Sequence, residues 1–422
     1  MQQRTSIFKK ILLFLLGIGP GIFAIGYTIG TGSVTAMIVA GSTYGMQLLW
    51  VLALSCIFSW VLMEAYGRYY LVTGETALYA FKKHLSLGRL IAILIIVGIT
   101  FGQWNSLIGI LGISANAIVE TLALFIPSIE GREYWWVLTI AIIIIGLMYS
   151  LLWMGKYSIF ERVLLFFVTL MGLSFLLSLF IVIPDPIEIA GGFIPSIPQV
   201  EGGRMLVAAF VGTTMAAATF ISRPLFIQGK GWTKNDLKEQ ERDARWAALL
   251  IFFISGSIMA VATGAFFHNG QVVNKVLDMV YALEPIAGRF AIAIFFLGTM
   301  GAGLSSIFPI LMIAPLMIAD YQQGKLDTNS NQFKLIAGVA CLIGLTVPIF
   351  GANPIKAQIL TQVFNVFVLP LVILGIIILI NKRELMGDQK AGIALNIGMA
   401  LALVFAVIIS YNGAIAIIHN FN

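Results

Sequence analysis

The chain has 422 residues, of which 59% are hydrophobic and 10% charged, and its mean hydropathy is +0.98. A soluble domain carries roughly a quarter charged residues, so composition excludes that class and soluble enzymes with it. The formal charge of +6 is scattered over short segments, which excludes a nucleic-acid surface and reads as membrane topology.

Inside hydrocarbon every backbone N–H and C=O needs a partner within the protein, which leaves helices or closed barrels. The apolar runs last about 20 residues or more, the length of a crossing helix rather than of a barrel strand. Eleven such spans follow in chain order: 11–40, 46–71, 87–123, 135–154, 158–183, 205–228, 247–267, 287–318, 335–350, 358–380 and 391–418. The first run lacks a small-residue cleavage site and continues as a full helix, so no cleavable signal peptide is expected. With the N-terminus in the cytoplasm and the C-terminus outside, nineteen Lys and Arg fall inside and five outside (Arg132, Arg204, Lys275, Arg289, Lys356). That asymmetry satisfies the positive-inside rule and supports the span count. The longest hydrophilic stretch, 229–245, is too short for an appended soluble domain, so residues 1–422 are expected to form one membrane domain. Cys56 and Cys341 both lie in apolar runs and are expected to be packing residues, not a disulfide.

Two spans carry helix-breaking sequence. The first contains Tyr27-Thr28-Ile29-Gly30-Thr31-Gly32-Ser33-Val34-Thr35. The sixth contains Val211-Gly212-Thr213-Thr214-Met215-Ala216-Ala217-Ala218-Thr219, then Ser222-Arg223-Pro224. Glycine costs a helix about 1 kcal/mol relative to alanine, and proline removes a backbone hydrogen bond. Such breaks persist at membrane depth only where they are buried in protein or line a cavity. The first and sixth spans are corresponding members of two five-helix halves, about 11–183 and 205–380, with 391–418 as an extra helix. Interruptions in corresponding positions point to an inverted-repeat transporter with its site at the bilayer midplane. The alternative at each break is close helix packing on small residues.

From these residues the chain resembles the Nramp family of divalent-metal transporters. The resemblance runs along the whole chain: Gly19-Pro20-Gly21 to Gly41-Ser42-Thr43-Tyr44-Gly45, Val72-Thr73-Gly74, Phe226-Ile227-Gln228, Gly301-Ala302-Gly303-Leu304-Ser305-Ser306, Thr361-Gln362-Val363 and Leu369-Pro370. It implies an all-α, amino-acid-transporter-like five-plus-five inverted-repeat fold in a prokaryotic plasma membrane, with no cofactor. The functional motifs depart from the family. Its Asp-Pro-Gly-Asn in the first helix is matched here by Gly30-Thr31-Gly32-Ser33, and its Met-Pro-His-Asn in the sixth by Ala216-Ala217-Ala218-Thr219. The sixth helix's second histidine is matched by Arg223, and the stretch Phe101–Asn105 lacks the third helix's acidic residues.

Dehydrated Mn²⁺ or Fe²⁺ needs carboxylate, imidazole or thioether ligands, because a bare charge in low dielectric is very costly. Hydroxyls can instead hydrogen-bond the waters of a hydrated ion, and Mg²⁺ dehydrates most reluctantly. Candidate substrate residues are therefore Gly30, Thr31, Ser33, Thr213, Ala216, Thr219, Arg223 and Gln362, for a transported Mg²⁺ moved without a proton relay. The alternative cargo is a small organic acid or amino acid held by half-helix N-termini and Arg223. Against that stands a structural role for Arg223, paired with Glu64 or Glu161. Glu64 and Arg68 are spaced as an i,i+4 ion pair. Gln103, Asn105, Gln362 and Asn365 are either glue between helices or cavity lining. His84, His268 and His419 share no metal-ligand spacing, and no nucleophile, phosphate-loop or HExxH motif points to an enzyme.

Overall fold

A computed structural model describes residues 19–123, 126, 129, 131–181, 184–196, 203–267, 284–350 and 361–421. Among these described residues, ten helices are long and apolar enough to cross a membrane, and one bent pair makes an eleventh span. The first span is Gly21–Thr28 plus Thr31–Tyr44, bent by 55° at Ile29-Gly30. The second to fifth are Leu49–Thr73, Gly88–Ala123, Glu133–Trp153 and Tyr157–Ile181. The sixth is Gly203–Thr214 plus Ala217–Lys230, separated at Met215-Ala216. The seventh and eighth are Leu237–Phe266 and Glu284–Gln323, and the ninth runs over Asn331–Phe350. Thr361–Asn381 and Ile393–Phe421 complete the set.

Burial sorts these helices by role. The apolar window of the sixth span is 94% buried and that of the eleventh only 22%. The two interrupted spans thus sit at the centre, where irregular backbone is sheltered, and the extra helix sits at the edge. Val97, Phe101, Phe166, Phe180, Leu342 and Val407 are exposed on the sides, a surface suited to lipid tails.

The structure departs from the sequence reading in three places. The seventh helix begins ten residues earlier than its apolar run, at Leu237, so most of the stretch read as a hydrophilic loop is its charged first turns. Hydropathy marks where a helix enters hydrocarbon, not where its hydrogen bonds begin. The tenth span is interrupted too: Val366–Val368 form turns closed by i→i−3 bonds, Leu369–Asn381 resumes with Pro370 in its first turn, and the Ser410 hydroxyl caps the carbonyl of Val366 at 2.8 Å. Finally, a short helix, Ala77–His84, lies between the second and third spans. Its N-terminal N–H groups of Leu78 and Tyr79 donate to the buried Asp320 carboxylate at the end of the eighth span.

Candidate substrate site

The breaks free backbone carbonyls that must find donors. On the first span, Ser306 Oγ donates to the carbonyl of Gly26 at 2.6 Å and Thr213 Oγ1 to that of Thr28 at 3.2 Å. Tyr27 reaches across to the eighth span and donates its hydroxyl to the carbonyl of Pro309 at 2.7 Å. On the sixth, Ser59 Oγ donates to the carbonyl of Thr214 at 3.1 Å. Hydroxyl residues of the second, sixth and eighth spans therefore stand in for the missing helical bonds. Glycine at position 30 is required by close approach: a Cβ there would lie 2.2 Å from Ser306 Oγ.

Between the breaks lies a cavity of about 10 Å³, the space of one water. The first span lines it with Tyr27, Gly30, Gly32 and Ser33, the sixth with Thr213 and Ala216, and the tenth with Gln362. The third adds Gln103, Ser106 and Ile110, and the eighth Ser306 and Ile310. Five of the eight candidates, Gly30, Ser33, Thr213, Ala216 and Gln362, are thus brought together. The amides divide as follows. Gln362 donates to Ser106 Oγ and accepts from Asn365, both at 3.0 Å, while Asn105 folds back on the carbonyl of Phe101. Gln103 and Gln362 line the cavity; Asn365 buttresses Gln362 from behind.

Thr31 and Thr219 are buried beside the cavity without lining it. Their hydroxyls, and those of Ser33 and Ser114, have no hydrogen-bond partner among the described residues. Sequence reasoning misses Ser106, Ile110, Ser306 and Ile310 as site residues. Ser106 lies three residues after Gln103, on the same helical face, and that spacing is the available signal.

Arg223 lies elsewhere. Its guanidinium is 1% exposed and 2.7 Å from the Asp243 carboxylate, and it also donates to the side-chain oxygen of Gln240. Neither partner expected for it is the direct one. Glu161 pairs with Lys230, and Glu64 pairs with Arg68 and is reached from Arg223 only through Gln240, whose amide donates to it at 2.8 Å. Asp243 also accepts the backbone N–H groups of Gly19 and Gly21 at 2.7 and 2.9 Å. This chain of buried polar groups ties the start of the first span to the second, sixth and seventh. Sequence spacing does not reveal Asp243, because hydropathy assigns it to a loop.

Among the described residues the cavity wall holds no carboxylate, imidazole, thiolate or thioether. Among the described residues no group of three or more His, Cys, Asp and Glu is placed to hold a metal ion, and His268 lies outside them. What the wall offers is neutral: hydroxyls, two side-chain amides and backbone at two helix breaks. Such a set accepts from and donates to water, and carries no charge with which to replace an ion's hydration shell.

A family profile described as natural resistance-associated macrophage protein-like (Nramp) matches residues 21–416. Among curated relatives, the divalent metal cation transporter MntH of Caldanaerobacter subterraneus subsp. tengcongensis is 23% identical over 403 residues, covering 92% of this chain and 90% of that protein. MntH of Nostoc sp. is 25% identical over 398 residues, covering 91% and 86%. Among solved structures, a histidine-to-alanine mutant of the Eremococcus coleocola manganese transporter superposes with a TM-score of 0.71 at 16% identity, covering 99% of this chain and 88% of that one. MhsT in complex with L-phenylalanine does so with 0.64 at 14% identity, covering 94% and 98%. The shared architecture is the five-plus-five inverted repeat.

Proposed function

The chain belongs to the Nramp family of membrane transporters, and from that premise we propose that it is a secondary carrier of Mg²⁺, bound with most of its water shell. One observation carries the reading: every polar group lining the cavity is a neutral hydroxyl, amide or backbone group. Dehydrated Mn²⁺ or Fe²⁺ would meet no ligand able to offset its lost hydration. Mg²⁺ ordinarily retains several waters, and Ser33, Thr213, Gln103 and Gln362 are suited to hydrogen-bonding them. A cavity of about 10 Å³ admits no hydrated ion, so the spans around it part during loading, as alternating access requires. Among the described residues the wall offers no carboxylate or imidazole to relay a proton, which supports transport without proton coupling. The same reading keeps the N-terminus inside and the C-terminus outside.

The organic-acid alternative loses its main support, since the Arg223 charge is already matched by Asp243. The test is flux into proteoliposomes loaded with dyes for Mg²⁺, Mn²⁺ and pH. The expected result is Mg²⁺ entry that Ser33→Ala and Gln362→Ala reduce at least tenfold, with no internal acidification. Micromolar Mn²⁺ uptake abolished by Ser33→Ala would overturn the choice of ion. Acidification driven by the substrate would overturn the absence of proton coupling.

A further inference from the structure

Away from the central cavity, a groove of about 370 Å³ opens on the side of the bundle between the second and seventh spans. Its floor is made of small residues, Ala53, Cys56 and Ala248, and its walls of Ile57, Trp60, Leu249 and Phe252. Cys56 and Ala248 are almost fully buried, whereas Ile57 is 50% and Leu249 38% exposed, so the groove faces outward from the helix bundle. Apart from Arg245, its lining residues are apolar or aromatic.

One end of the groove is marked by charge. Arg245 lines it there, with its guanidinium 5.6 Å from the centre of the Trp60 ring, a cation–π distance. On the seventh span Arg245 is the last charged residue: Lys238, Glu239, Glu241, Arg242, Asp243 and Arg245 precede a run from Trp246 to Phe266 with none. The second span is tied to the seventh near this end. Leu49 to Met63 is uncharged, and Glu64, one turn beyond Trp60, is bonded through Gln240 to the seventh span. The charged run of the seventh span ends at Arg245, which sets this end of the groove toward the headgroups, where tryptophan and arginine concentrate.

We propose that the groove is a binding site for an anionic phospholipid, one acyl chain filling the apolar cleft and the phosphate paired with Arg245. The apolar lining suits a hydrocarbon chain, and basic residues at the mouth of clefts between membrane helices suit anionic headgroups. Among the described residues Arg245 has one ionic partner, Glu241 at 2.8 Å, in an i,i+4 pair whose side chains are 52% and 40% exposed. Exposed pairs of this kind are weak, so the guanidinium exchanges readily onto a phosphate. Glu241 competes for the same donor, which gives the proposal a second, oppositely signed handle.

The test uses the full chain in bilayers containing phosphatidylglycerol or phosphatidylcholine with identical brominated acyl chains. Quenching of Trp60 is read as the difference between the wild type and Trp60→Phe. Phosphatidylglycerol is expected to occupy the groove about fivefold more favourably than phosphatidylcholine, the preference that one basic residue at the membrane surface supplies. Arg245→Gln should abolish that preference, whereas Arg242→Gln, the same charge change one turn earlier, should leave it intact. Glu241→Gln should increase it, and Ala53→Phe, which fills the cleft, should reduce quenching by both lipids. Equal quenching by the two lipids, or a preference that survives Arg245→Gln, overturns the proposal. So does a Trp60 that neither lipid quenches, since protein would then cover the groove.

Discussion

Ser306 and Gly30 hold the site together through a contact that admits no extra atom. Ser306 Oγ caps the carbonyl of Gly26 and occupies the space a side chain at position 30 would need. Gly30→Ala is therefore expected to cost about 1–3 kcal/mol by overpacking and to lower transport of the cargo at least tenfold. Ser306→Gly in the same chain should recover part of the thermal stability, measured as a double-mutant cycle. Thr213 serves the neighbouring carbonyl of Thr28. Thr213→Val leaves that buried acceptor unpaired and should cost about 1–3 kcal/mol in the same assay. The first-span glycines and hydroxyls are legible in the sequence because they are poor helix formers in an apolar run. Their individual partners are not, since hydrogen bonds spanning 185 and 280 residues leave no local trace.

At the level of helices, the interrupted sixth span is pinned at both ends. Gly212 lies so close to the tenth span that a Cβ would stand 2.0 Å from the backbone carbonyl of Gln362. Backbone yields less readily than a flexible side chain, so Gly212→Ala should displace Gln362 and impair transport more than Gln362→Ala does. Past the break, the Arg223–Asp243 pair joins the sixth span to the seventh and to the N–H groups of Gly19 and Gly21. Asp243→Ala leaves a buried arginine uncompensated and should cost about 3–5 kcal/mol, read as a fall in the thermal midpoint in detergent. The short helix Ala77–His84 supplies a pH-dependent tie. Glu75 accepts from Lys83 Nζ at 2.5 Å and lies 2.6 Å from His84 Nε2. Partial burial pushes its carboxyl up, but the hydrogen bonds and charges of Lys83 and His84 outweigh that and leave it below the usual glutamate value. A depressed folded-state value means that the unfolded chain binds more protons. The stabilisation is thus complete above about pH 4.3 and is lost as pH falls through the folded value. Glu75→Gln should flatten the loss of stability between about pH 5 and pH 3.

For the molecule as a whole, a cargo that binds the folded state stabilises it by mass action. On the proposed Mg²⁺ reading, that ion at a hundred times its Kd should add about 2.7 kcal/mol, and Mn²⁺ at the same concentration much less. The span count, the all-helical architecture and the positions of the first two breaks are all present in the sequence. Hydrocarbon solvent forces backbone satisfaction within each helix, so apolar run length and misplaced glycines report directly on structure. The family is legible in motifs away from the two breaks, such as Gly41-Ser42-Thr43-Tyr44-Gly45 and Gly301-Ala302-Gly303, whereas the ligand motifs at the breaks have changed. Asp243 as the partner of Arg223, the third break at Val366–Val368 and the lining by Ser106 and Ser306 are decided only by tertiary structure. Each depends on which helix faces which across the bundle, and in a membrane that choice is made by close packing and interhelical hydrogen bonds between residues far apart in the chain.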